Sequence, residues 1–138
     1  EACTGTAVVG DLMLGMARNR GIIGLVTDGA VRDLGGIFKV GLPVFCAGVN
    51  PDSPSRTGPG SAGLAVHIGG TTIHPGDIVV ADSDGVVIVP QGLLDMVIKK
   101  LNQVLVAEAE MEAKVEDGLK MPDSWGALFA SDQVRYLD

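Results

Sequence analysis

The sequence predicts a mixed α/β layered domain, and three features carry that expectation. A helical stretch, an apolar run and an Arg-Asp pair follow one another within the first 33 residues. Two hairpin signals occupy 64–89, and the apolar period turns helical from 91 to 117. The chain has 138 residues, the length of one domain. Hydrophobic residues make up 46% of it and aromatics only 4%, so its core must be built from Val, Ile, Leu and Ala.

Residues 1–10 are small and glycine-bearing and lead to Asp11, a good helix N-cap. Leu12, Met13, Met16 and Ala17 recur at helical spacing, and Gly21 is a natural stop, which predicts a helix over 11–20. The run 21–27, GIIGLVT, reads as a strand covered on both faces. Asp28-Gly29 turns the chain, and 30–33 begins a short helix or helical turn. Residues 36–41 read as a connection containing Lys39, and 42–47 as a second buried strand that packs Cys46. The Pro-, Ser- and Gly-rich segment 48–63 reads as a functional loop or lid with Arg56 as its only cation.

Strands at 64–68 and 71–73 flank Gly69-Gly70, and strands at 78–81 and 86–89 flank 82–85; both are hairpin patterns. The tip DSDG opens like a calcium loop but continues as VVIV, so a structural turn is the better reading. His67 and His74 do not make a metal site by spacing alone. The long helix places Leu94, Val97, Ile98, Leu101, Val104, Leu105 and Ala109 on one face and ends in an acidic run. The tail holds Trp125 and Tyr136, aromatic residues suited to docking on a neighbour.

The formal net charge of −7 and pI near 4.6 argue against broad electrostatic binding to nucleic acid or anionic membranes. A small anion would then need a local positive focus, which Arg32 can supply. Cys3 and Cys46 form no CxxC or Cys/His cluster and read as reduced thiols. With no apolar run near the ~20 residues that span a bilayer, a cytoplasmic protein is expected.

The stretch GDLMLGMARNRGIIGLVTDGAVRDLGG, followed by PVFCAGVNP, HPGDIVVAD and DSDGVVIVP, resembles the RraA-like family. That family joins the regulators of ribonuclease E to the class II aldolases that cleave 4-hydroxy-4-methyl-2-oxoglutarate and 4-carboxy-4-hydroxy-2-oxoadipate. Twenty residues separate Asp11 from Arg32 and Asp33 follows at once, similar to the D-x20-R-D pattern of the aldolase branch. Gly35 and Gly36 stand where the regulator branch tends to carry acids. The resemblance implies an αββα layered fold like the swivelling phosphohistidine domain, assembled as homotrimers or homohexamers with sites between subunits. It also implies that 1–138 is a single RraA-like domain, the C-terminal portion of a longer chain.

For the chemistry, Asp33 would anchor Mg²⁺ or Mn²⁺ with waters completing the shell, and Arg32 would pair with substrate carboxylate or keto oxygen. The backbone amides of Leu12 and Met13 would receive a pyruvyl carboxylate, and Asp11 would orient Arg32 or the water that acts as base. The resemblance assigns Glu108 of a neighbouring subunit to the metal's water shell. No lysine is placed for imine chemistry. The implied activity is pyruvate-forming aldol cleavage of a small 2-oxo acid, with oxaloacetate decarboxylation beside it. The competing readings are a protein-binding regulator of ribonuclease E and a non-catalytic homologue.

Overall fold

Burying the main-chain polar groups of short apolar segments requires strand partners, and the first half of the chain supplies them in parallel. The computed structural model describes residues 2–55 and 57–135, so Arg56 and Tyr136 lie outside the described residues. Strands β1 (Ala7–Val9), β3 (Ala30–Val31) and β5 (Gly48–Val49) form one parallel sheet in the order β1-β3-β5. Strands β2 (Leu25–Val26) and β4 (Val44–Phe45) form a parallel pair. Helices α1 (Asp11–Asn19) and α2 (Leu34–Val40) make the crossovers. Val9, Leu14, Val31, Ile37 and Leu42 form the buried cluster, with Leu25, Val40 and Val44 against it. Aliphatic side chains thus make the core, as the composition requires. Arg18 of α1 donates to the Val40 carbonyl at the end of α2, tying the two helices together.

Two hairpins follow, β6 (Val66–Ile68) with β7 (Thr71–Ile73) and β8 (Ile78–Ala81) with β9 (Val86–Val89). Gly69 and Gly70 both take positive φ, 57° and 79°, which a two-residue turn that matches strand twist demands. At the second tip, Asp82 Oδ1 accepts the Asp84 and Gly85 amides, so the DSDG segment is a structural turn. His67 pairs across its hairpin with Thr72 at 3.2 Å. The chain divides into two compact units, Glu1–Gly92 and Leu93–Asp138. The second unit comprises α3 (Leu94–Glu116) and α4 (Asp123–Phe129), with a 3-10 turn at Gln91–Leu93 preceding α3. Among the described residues no helix is long and apolar enough to cross a membrane.

Several expectations change. Residues 30 and 31 are strand, because Ala30 and Val31 pair on both sides with β1 and β5; the helix begins only at Leu34. Residues 36–40 belong to α2, not to a connection. Gly10, in extended conformation, is the N-cap of α1, and Asp11 is its first residue. Of the run 21–27 only Leu25–Val26 pairs, and Ile23 is 89% exposed, so that run is not covered on both faces. Cys46 is exposed rather than packed, since β4 ends at Phe45. Cys3 is exposed as well, and its contact with the Thr6 hydroxyl lowers its thiol pKa.

Asp77 closes the turn between β7 and β8. Its carboxylate accepts the His74 amide at 2.8 Å and the Gln91 amide at 3.2 Å. The His74 amide is the main cause that holds this carboxyl below its ordinary value. A depressed folded-state pKa contributes stability that is present above the unfolded pKa and lost as pH falls through the folded one. Asp77→Asn therefore lowers the Tm at neutral pH, and its deficit against wild type shrinks below about pH 4. Thermal melts of both proteins from pH 7 to pH 3 check this.

Candidate active site

The site is built at the carboxyl end of β3, where the strand leaves the sheet and its next side chains emerge beside the start of α1. The Arg32 amide donates to the Val9 carbonyl at 3.1 Å, extending the β1-β3 pairing by one residue and fixing the arginine's backbone. Asp33 then turns the chain with φ 61° and ψ 45°, a left-handed conformation that few side chains other than Asn and Asp tolerate. Its carbonyl accepts the amides of Gly36 and Ile37 and so opens α2. A non-glycine residue in this region beside a cleft is a mark of a functional constraint.

Arg32 and Asp33 form an ion pair, with Nε 3.3 Å from Oδ2. The N–H of Nε is buried and not aligned on that oxygen, so the pair attracts electrostatically without a hydrogen bond. Arg32 Nη1 instead donates to the Ser53 hydroxyl. Asp11 Oδ1 accepts the Leu12 amide at 2.7 Å. That bond engages the Leu12 amide within the protein, whereas the Met13 amide remains in the first turn of α1, where amides have no intrahelical acceptor.

Two glycines make this crowding possible. A Cβ on Gly36 would stand 1.9 Å from Asp11 Oδ2 and 2.6 Å from Asp11 Cβ. A Cβ on Gly10 would stand 2.6 Å from Asp33 Oδ2 and 3.1 Å from Arg32 Nε. The two acids and the arginine therefore lie directly over bare backbone. A cleft of about 620 Å³ opens there, lined by Gly10, Asp11, Leu12, Met13, Arg32 and Asp33, with Met16, Pro54 and Ser55 adding to its wall.

Five of the six residues singled out in the sequence thus share one cleft. Glu108 lies on α3 in the second unit, exposed beside Met111, Glu112 and Val115. Sequence reasoning missed Ser53 and the roles of Gly10 and Gly36. Only the flanking of Asp11 by one glycine and of the Arg-Asp pair by two hinted at the latter.

A profile described as RraA-like, Aldolase/RraA, matches residues 1–88. The chain belongs to the Aldolase/RraA family. A curated relative from Halalkalibacterium halodurans, named "Putative 4-hydroxy-4-methyl-2-oxoglutarate aldolase", is 36% identical over 117 residues, 85% of this chain and 55% of the relative. An uncharacterized protein from Pseudomonas syringae pv. tomato superimposes with a TM-score of 0.79 at 31% identity, covering 87% of this chain and 57% of that one. RraAS2 of Streptomyces coelicolor, described as an unusual member of the RNase ES inhibitor RraA family, gives 0.73 at 30% identity, with coverages of 79% and 56%. The α/β fold is therefore RraA-like. The chain spans a little over half the length of these relatives.

Asp33 fits a hard cation in one specific way. Its carboxylate faces the cleft, and its side chain is 48% exposed. Among the described residues no three His, Cys, Asp or Glu side chains converge. One carboxylate completed by waters is an arrangement Mg²⁺ accepts and Zn²⁺ structural sites do not.

Proposed function

We propose that this cleft is a divalent-metal-dependent lyase site that cleaves 4-hydroxy-4-methyl-2-oxoglutarate-type 2-oxo acids to pyruvate in the cytoplasm. The observation that carries the reading is the convergence of Arg32, Asp33, Asp11 and the first turn of α1 on one cleft. The likeness to the Halalkalibacterium relative supports the substrate class. Asp33 would hold Mg²⁺ or Mn²⁺, which when bound would neutralise charge at the 2-oxo oxygen as a Lewis acid. Arg32 pairs with the substrate's carboxylate or with the oxygen on which negative charge develops. The Met13 amide receives the pyruvyl carboxylate at the positive end of α1, while the Leu12 amide beside it stays bonded to Asp11 Oδ1. Asp11 takes the proton of the C4 hydroxyl or orients the water that does.

Loss of that proton makes C4 a carbonyl and breaks the C3–C4 bond. The electron pair passes into a pyruvate enolate, which is protonated at C3. Each 4-hydroxy-4-methyl-2-oxoglutarate then yields two pyruvates. Oxaloacetate loses CO₂ through the same enolate and yields one. Glu108 of a neighbouring subunit in a homotrimer or homohexamer would help to hold the metal's waters, and its loss would weaken turnover without abolishing it.

The test is pyruvate yield measured with a coupled dehydrogenase. Two pyruvates per substrate with Mg²⁺ and none with EDTA are expected; full yield in EDTA would overturn metal dependence. The likeness to RraAS2 favours a second reading, a protein-binding regulator of ribonuclease E, and the chain's acidic charge would suit a basic surface on such a partner. Binding to ribonuclease E by a folded preparation that forms no pyruvate would select it.

A further inference from the structure

We propose that Ser53 is a positioning residue that orients the Arg32 guanidinium over the cleft, held in place by a strap pinned at Asn50. The inference deepens the lyase reading and rests on it for its kinetic part alone. Among the described residues, Ser53 is the one side chain that hydrogen-bonds Arg32. The Asp33 carboxylate, though 3.3 Å away, leaves the Nε–H buried and without a hydrogen bond. An ion pair of that kind attracts the guanidinium but does not fix the rotation of its plane, because Coulomb attraction is weakly directional and hydrogen bonds are not. The direction in which the remaining Arg32 donors point is therefore set at Nη1, by Ser53.

Ser53 can do this only if its own backbone is fixed, and the chain on either side shows how it is. The Asn50 amide donates to the Val31 carbonyl at 2.9 Å, immediately before Arg32. Asn50 Nδ2 donates at 3.0 Å to the carbonyls of both Thr4 and Gly5, and Asn50 Oδ1 accepts the Asp52 amide at 2.9 Å. The Asp52 carbonyl accepts the Ala7 amide at 2.9 Å. Residues 50–52 are thus stitched to the start of β1 and to the end of β3, and Ser53 is the next residue. Asn50 is tied to the strand end from which Arg32 emerges and Asp52 to the start of the neighbouring strand, so the separation of Arg32 and Ser53 is set by the sheet. Pro54 and Ser55 continue into the cleft wall.

Two readouts separate this role from a merely structural one. In ¹⁵N-detected spectra of the arginine side chains, the wild-type Arg32 Nη groups are expected to give resolved signals from restricted rotation. Ser53→Ala should collapse them, and Ser53→Thr, which keeps the hydroxyl, should restore them. In the pyruvate assay, Ser53→Ala should lower kcat about tenfold, the order expected for losing a hydrogen bond to a charged group, with KM changed far less. Ser53→Thr should recover most of that loss, and in an Arg32→Lys background Ser53→Ala should cost nothing further. Unchanged Nη signals in Ser53→Ala would overturn the proposal, as would an equal kinetic cost in the Arg32→Lys background. Held guanidinium signals that depend on Ser53 in a protein that makes no pyruvate would overturn the lyase reading and leave the positioning of Arg32 by Ser53 standing.

Discussion

Asp33→Asn lowers metal-dependent pyruvate formation by about 10² to 10³ or more, the usual cost of removing a group that stabilises developing charge, and leaves the fold intact. The backbone makes this variant informative. Asp33 sits at φ 61° and ψ 45°, and its carbonyl opens α2 by accepting the Gly36 and Ile37 amides. Asparagine tolerates the left-handed region about as well as aspartate, so the helix start survives while the charge goes. Asp33→Ala lowers turnover at least as far, but adds a left-handed penalty of roughly 1–2 kcal/mol for a Cβ without a polar partner. Coupled kinetics and thermal melts on both variants separate the two costs. Asn should melt near wild type, Ala below it, and both should show that loss of turnover. Wild-type kinetics in Asp33→Asn would remove Asp33 from the site.

Gly36→Ala carries the second large effect. In an ordinary helix interior this exchange stabilises by roughly 0.5–1 kcal/mol. Here the added Cβ would stand 1.9 Å from Asp11 Oδ2, 2.5 Å from its Cγ and 2.6 Å from its Cβ. Rotating the Asp11 side chain cannot clear the contact with its own Cβ, so the first turns of α1 and α2 must separate. Overpacking of this kind typically costs 1–3 kcal/mol. The displaced Asp11 carboxylate would also leave its place in the cleft, and kcat should fall with the Tm. Part of the lost stability should return in the double variant with Asp11→Ala, which removes the two nearest clashes, while activity stays low. A melt of the four proteins of that cycle checks the coupling.

The three central residues of the cleft were legible because they stand close together in sequence around one strand end. Twenty residues from Asp11 to Arg32 span a helix, a turn and a strand, enough to return the chain beside its start. What surrounds them was not legible. Ser53 lies 21 residues beyond Arg32 and reaches it through Asn50, whose partners Thr4 and Gly5 are 46 and 45 residues away. No local period reports such contacts. Residues 30 and 31 read as a helical start because the small Ala30 and the Arg-Asp pair suit one; pairing with β1 on one side and β5 on the other overrides that preference. The strand expected over 21–27 shrank to two residues because strand partners exist only at Val44 and Phe45. The two hairpins held their expected pairing because their turns are local and chemically specific, Gly69-Gly70 in one and Asp82 capping its own turn in the other.

The central claim is that this cleft stabilises a pyruvate enolate, and that can be tested without knowing the natural substrate. Pyruvate in D₂O with the protein and Mg²⁺ is followed by ¹H NMR at its methyl group. The account predicts loss of the methyl signal through protein-dependent exchange for deuterium, abolished by EDTA and by Asp33→Asn. A methyl signal that persists at the rate of the protein-free control, with a folded wild-type protein, would contradict it.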